Sequence, residues 1–542
     1  MIAPSARKLA LLGGSIVLAS TMTWRPALAN GFDHGRFGNP GTVKVYCGHG
    51  TIKRALTKHP LRPLVIVVNG VCAEDVTINR DRVTLLAANP RVDGITGVTE
   101  GGAAIAITGA RSTVIEGLRL RSAPGGGSSG IFVTANGEAT VHNALIEESG
   151  YGIWANHGGF FHLRESEIKD GREYGILMSD GANARVENSI VAIDNSDRAN
   201  SAAIGAFRSV NIRLRGANLI ANSGDDKIPE NDDDGFSLDL YHNVEFRQDG
   251  GHSVFVGPME FGNLTHASLR DSEIAGGIDL FGGSRVDIRD SRTGSDEITG
   301  GRPIAISSSS HLELRSGVIA NAGSIGVFEH SVLNVNRDAS VTAEGNVDMD
   351  NSTVRIGENA SMAVNGDLGV FERSILTVNR DASVTAEGNV NLGNSTVQIR
   401  ENASVTVNGD FGAFSSAQIA AFGPNAKLDV SGYMNASEFL NMHIGENSSL
   451  VVGEHLQISD FSLMYAGNHA DINADMNFGG SATKVNFLGD GVNYTGKMHF
   501  SEKSDMNFGP NNNINGFINC NGSEFFAVTP PNVISGGFVM CP

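Results

Sequence analysis

Two groups of side chains in this 542-residue chain could do chemistry. The first lies between Asn222 and Gly235, where Asp225, Asp226, Glu230, Asp232, Asp233 and Asp234 place six carboxylates within ten residues. Hard oxygen ligands at that density suit Ca2+, which takes about six to eight of them. The spacing matches neither an EF-hand nor a nonapeptide calcium repeat, and a solvated acidic loop is the alternative. Asp225, Asp226, Asp232, Asp233 and Asp234 are thus candidate ligands for Ca2+, and no motif requires a cofactor. The second group is Tyr151, Trp154, His157 and Tyr174. Flat apolar rings stack against sugar rings, so these residues could line a sugar-binding surface; ordinary packing within a strand is the alternative for Trp154. His142, His157 and His162 could serve as acid or base near neutral pH, although histidines scattered along a surface are more often bystanders. These residue types and spacings assign no catalytic residue.

The elements that must position them announce themselves by repetition. Gly326-Val327-Phe328-Glu329 returns at Gly369-Val370-Phe371-Glu372, and the stretch from Val335 to Val347 returns unchanged from Val378 to Val390, an offset of 43 residues. Each block splits again, because Ser331, Ser352, Ser374 and Ser395 open units of 21, 22 and 21 residues. Upstream the same period persists in degenerate form at Gly130-Ile131, Gly152-Ile153 and Gly175-Ile176. Short segments such as Ser352-Thr353-Val354-Arg355-Ile356 read as strands with one apolar face, separated by Gly, Asn and Asp corners. A unit of that size cannot bury its apolar face alone, whereas a stack of units can. The Leu framework of leucine-rich repeats and the length and aromatic markers of propeller blades are missing. The expected fold is therefore all-β: a single-stranded parallel β-helix with coils of about 22 residues, right-handed by the chirality of parallel crossovers.

Four cysteines fit this geometry. Cys47 and Cys72 are 25 residues apart and Cys520 and Cys541 are 21 apart, each about one coil, so the spacing favours one disulfide near either end. Thr51 to Leu56 suits a short helix that caps the open end of the core. The sequence divides into a signal peptide over 1–29, an N-terminal cap over 30–61, irregular coils over 62–325 with the acidic insertion near 222–235, regular duplicated coils over 326–510, and a C-terminal disulfide cap over 511–542.

The opening pattern Val45-Tyr46-Cys47, Thr51-Ile52, Val67-Val68-Asn69-Gly70-Val71-Cys72, Val76-Thr77-Ile78 and Val83-Thr84-Leu85-Leu86 resembles the amino-terminal cap and first coils of right-handed parallel β-helix repeat proteins of the pectate-lyase-like superfamily. The resemblance implies a fold more than a chemistry, since this scaffold carries lyases, hydrolases, epimerases, adhesins and inert spacers. Some of its lyases neutralise a uronate with carboxylate-bound Ca2+ and use Arg or Lys as base; here Arg119, Arg121, Arg164, Arg213 and Arg215 could supply a basic strip. Gly48-His49-Gly50, and Asn231 to Gly235 followed by Gln248 to His252, faintly resemble polygalacturonase signatures. Their order and spacing do not support paired-carboxylate hydrolysis.

Charge and leader narrow the partners. With 40 Lys plus Arg against 59 Asp plus Glu, the net charge of -19 argues against nucleic acid and anionic membranes. Arg7 and Lys8, an apolar run from Leu9 to Met22 and Ala27-Leu28-Ala29 read as a secretory leader, and no later stretch is long and apolar enough to span a membrane. The expectation is a secreted, periplasmic or extracellular rod that binds or organises surface or matrix polysaccharide without catalysis. The alternatives are a polysaccharide lyase or related carbohydrate-active enzyme for acidic polysaccharide, and an adhesin.

Overall fold

Ser340–Ala343 shows why these residues make strands: Val341 and Ala343 are buried while Ser340 and Thr342 are half-covered, the two-residue alternation of a sheet with one face packed. The computed structural model describes residues 41–59, 63–193, 201–222, 235–289, 297–299, 303–420, 423–480, 483–501, 504–521, 525–528, 533–534 and 538–539. Three such strands make one coil, and each pairs in parallel with its counterpart in the next. Face 1 begins with Gly41–Tyr46, Leu64–Asn69 and Val83–Ala87. Face 2 begins with Val71–Ala73, Gly94–Thr96 and Arg119–Arg121. Face 3 begins with Val76–Ile78, Ala103–Thr108 and Ser129–Thr134. Face 1 is a 22-stranded sheet among the described residues, while faces 2 and 3 form a 38-stranded sheet because they merge in long strands such as Ser449–Ser459 and Asp471–Gly479. From Gly41 the chain is one compact unit, and its core runs without a break from Val45 to Cys520, across the expected boundary at 325.

Asn and Asp at the corners adopt positive φ, which their short polar side chains tolerate. Asp338, Asn359, Asp381 and Asn402 do so in successive coils, with φ of 59°, 57°, 57° and 55°. The duplicated coils repeat their contacts as well as their sequence. Asn346 Oδ1 accepts from the Asp367 N–H at 2.9 Å, Asp367 from Asn389 at 2.7 Å and Asn389 from Asp410 at 2.9 Å.

The α-helix Ile52–Lys58 closes the first coil with Ile52 and Ala55 buried. Its orphan N–H groups are satisfied from two directions: Thr51 Oγ1 accepts from Arg54, and Glu74 of the following coil accepts from Ile52 at 2.7 Å and Lys53 at 3.2 Å. Cys47 and Cys72 are disulfide-bonded with Cα atoms 4.8 Å apart. Cys520 is also disulfide-bonded, while Cys541 and the leader over 1–29 lie outside the described residues. No helix among the described residues is long and apolar enough to cross a membrane.

Candidate functional site

Seven successive strands of face 3 build the site: Ser129–Thr134, Tyr151–Ala155, Tyr174–Ser179, Ala202–Phe207, Phe236–Tyr241, Met259–Gly262 and Ile278–Leu280. Their inward positions are apolar, with Ile131, Ile153, Ile176, Ile204, Leu238, Met259 and Ile278 all buried in one column. The next residue of each strand faces outward, and this column reads Phe132, Trp154, Leu177, Gly205, Asp239, Glu260 and Asp279. It begins apolar and ends acidic.

Outward rings join into a continuous ribbon. Phe132 and Trp154 have centroids 4.7 Å apart, Trp154 and Tyr151 5.6 Å, Tyr151 and Tyr174 6.1 Å, and Tyr174 and Phe207 6.3 Å. Phe207 then stacks on Tyr241 at 5.9 Å, and Tyr241 meets Phe281 at 5.6 Å. Glycines make room for them. A Cβ at Gly205 would overlap the Tyr174 ring, and one at Gly262 would lie 2.6 Å from Tyr241 and 2.7 Å from Phe281. The phenol of Tyr151, hydrogen-bonded to Glu173, is pushed up to about 12 by burial and then by that carboxylate.

Where the ribbon reaches Tyr241 it borders three carboxylates. Asp239, Glu260 and Asp279 are register partners in consecutive coils. Asp239 is only 9% exposed, and its Oδ1 is buried with no hydrogen-bond partner. Burial, and then the Glu260 charge, pushes its carboxyl up to about 7. Glu260 is half-buried and accepts a hydrogen bond from the Tyr241 hydroxyl. Its carboxyl is raised by burial and the Asp279 charge against the lowering effect of that bond. Beside Tyr241 a shallow groove follows the corner toward face 1, lined in part by Arg208, His242, Asn243, Asn263 and Leu264.

Of the four residues expected at a sugar-binding surface, Tyr151, Trp154 and Tyr174 share the ribbon, Tyr151 and Tyr174 as direct register partners. Exposed His157 sits off it, in the corner turn between faces 3 and 1, where its carbonyl accepts from the Asn136 N–H. Asp225, Asp226, Asp232, Asp233 and Asp234 lie outside the described residues. Among the described residues no group of three or more His, Cys, Asp or Glu is arranged to hold a metal ion. His142 and His162 stand on face 1, level with the ribbon along the stack but on another face; the Glu116 partner raises the His142 pKa and burial lowers that of His162.

The five arginines do not form one strip. Arg119 and Arg121 lie on face 2, where their Nε atoms close on buried Glu147 at 2.6 and 2.8 Å. Arg164, Arg213 and Arg215 are on face 1, and Arg213 pairs with Asp249. Gly48 to Gly50 form the turn after the first strand, and Gln248 accepts from the Arg270 N–H and the Ser272 hydroxyl, a structural use. Sequence reasoning missed Phe132, Phe207, Tyr241, Phe281, Asp239, Glu260 and Asp279. The signal that finds them is strand register.

Residues 129–292 match the family model described as a right handed beta helix region. Parallel coils of the same kind run through the rest of the described residues, so the chain has the fold of a parallel β-helix. No curated protein matches it. The matched part of this β-helix repeat protein contains the whole ribbon and all three carboxylates, so the family resemblance and the candidate site fall on the same coils.

Proposed function

We propose that this β-helix repeat protein is exported and binds a polysaccharide along the outward surface of face 3, between residues 129 and 281. The ribbon of seven rings carries the reading. Rings from six of the seven coils sit on a rigid ladder of roughly 4.8 Å per coil, so they are ordered before any ligand arrives and little entropy is lost on contact. Flat apolar rings match the C–H faces of sugars, while Asp239, Glu260 and Asp279 offer acceptors to sugar hydroxyls. Glu260 and Asp279, with Asp239 where it ionises, would repel a polyuronate; Arg119, Arg121 and Arg213 lie on other faces in ion pairs, and Arg208 beside Tyr241 pairs with Asp180. The polymer this face suits is therefore neutral. Export rests on the leader at 1–29 and on the Cys47–Cys72 bond, which persists in oxidising compartments.

Affinity electrophoresis through gels containing neutral polysaccharides (β-glucan, mannan, xylan, galactan) or acidic ones (pectate, alginate) tests this. At least one neutral polymer should retard the protein, and Trp154→Ala and Tyr174→Ala should each relieve the retardation several-fold. Retardation by acidic polymers alone, or by none, would overturn the reading.

A further inference from the structure

We propose that the same face cleaves the glycan it holds, with Asp239 as general acid and Glu260 as the carboxylate that attacks the anomeric carbon. This rests on the binding reading above.

Asp239 is unlike the other deeply buried carboxylates. Glu147 is gripped by Arg119 and Arg121, Asp287 by Arg289 and Arg315, and Asp93 accepts from the N–H groups of Gly70 and Asn89. Asp239 stands on the outward column, buried though less deeply than these, with Oδ1 unpartnered and, among the described residues, no cation in an ion pair with it. A buried oxygen left without a partner costs stability, and such groups persist where a ligand or a reaction uses them. Directly beyond it Glu260 is held by Tyr241, and the ring ribbon leads to both.

The backbones of register partners lie roughly 4.8 Å apart, which lets their carboxyls stand at the ~5 Å of double displacement rather than at the wider separation that seats a water between acid and base. In the first step Asp239 gives its proton to the glycosidic oxygen as the C–O bond breaks, and a Glu260 oxygen bonds to the anomeric carbon. In the second, water attacks that carbon, its proton returns to Asp239, and the ester bond to Glu260 breaks. The sum is hydrolysis with retained anomeric configuration.

The test measures reducing ends, product anomers by NMR and gel retardation for the full protein, Asp239→Asn and Glu260→Gln on the same neutral polymers, with circular dichroism confirming the fold of each variant. The proposal expects release by the native protein, a loss of ~100-fold or more of that release in both variants that far exceeds any weakening of their retardation, and retained anomers. Retardation without release from any polymer overturns cleavage and leaves binding standing. Neither retardation nor release overturns both readings. Release that survives both substitutions, or inverted products, overturns the assignment of residues.

Discussion

Tyr241 donates its hydroxyl hydrogen to Glu260, which sits on the next coil of the same face as the register partner of Asp239. The phenol is pushed far above its ordinary range by burial and by the carboxylates around it, so it remains a donor at any working pH. The bond favours the ionised form of Glu260 while Asp239 beside it holds its proton into the neutral range. Both neighbouring carboxyls are thus raised, Asp239 by burial and the Glu260 charge, Glu260 by burial and the Asp279 charge with the Tyr241 bond working against them.

Removing that donor should move Glu260. Its carboxyl then keeps burial and the Asp279 charge without the lowering bond. Tyr241→Phe is expected to raise the Glu260 pKa, read by carbon NMR titration of a glutamate-labelled protein. An unchanged titration would remove Tyr241 from control of the site.

Asp239 gives stability a pH signature. Its folded value of about 7 exceeds the roughly 3.9 of an unfolded aspartate, so the native state binds the extra proton between these limits. Stability should be unaffected below pH ~4, fall as pH rises to ~7, and level off above it. Asp239→Asn, flanked by the same Tyr241, Glu260 and Asp279, lacks this loss. Its melting temperature should therefore exceed that of the native protein at pH 8 and converge with it at pH 4, and a constant difference across that range would contradict the argument.

Gly205 and Gly412 occupy the same outward column but meet different neighbours. A Cβ at Gly205 collides with the Tyr174 ring, whereas at Gly412 it comes no closer than 3.1 Å, to Asn391 Oδ1. Gly205→Ala should swing Tyr174 out of the ribbon and weaken retention on a polysaccharide gel several-fold, while Gly412→Ala leaves retention unchanged. Equal behaviour of the two would show that the ring's position does not matter.

The sequence revealed the scaffold and three of the seven rings for one physical reason. Where coils are uniform, as from Ile131 to Ile153 to Ile176, register partners lie 22 and 23 residues apart and the period exposes Tyr151, Trp154 and Tyr174. From Ile176 to Ile204 to Leu238 the spacing is 28 and then 34 residues, and it contracts to 21 and 19 at Met259 and Ile278. Corners absorb insertions that strands cannot, so the phase is lost where Asp239, Glu260 and Asp279 line up. Strand alternation alone also leaves open which face an aspartate meets.

The first coil is held by two independent ties, the Cys47–Cys72 bond and the Glu74 cap on the helix Ile52–Lys58. Cys47→Ser with Cys72→Ser should cost about 2–4 kcal/mol, and Glu74→Ala about 1 kcal/mol. Hydrogen exchange should localise both losses to residues 41–59. Exchange that quickens equally in the coils near 340 would instead show that the whole stack melts as one.

Deleting 331–373 joins His330 to Ser374 and removes one 43-residue duplication, two whole coils. His330 and Arg373 share the same positive φ, 64° and 67°, so the junction keeps its corner. Because repeat stability is close to a sum over neighbours, the melting temperature should change by only a few degrees and polysaccharide retention should persist. Aggregation or loss of retention would show that these coils do more than space.

Duplication in whole coils makes length a heritable variable separate from chemistry. Each copy of the 43-residue block moves the long strands after Ser449 about 10 Å further along the axis from the ring ribbon. It does so without altering one contact that either end uses. Unequal recombination between the two near-identical blocks could therefore lengthen or shorten the reach of this protein as a tape is paid out, while the surface that meets the glycan stays the same.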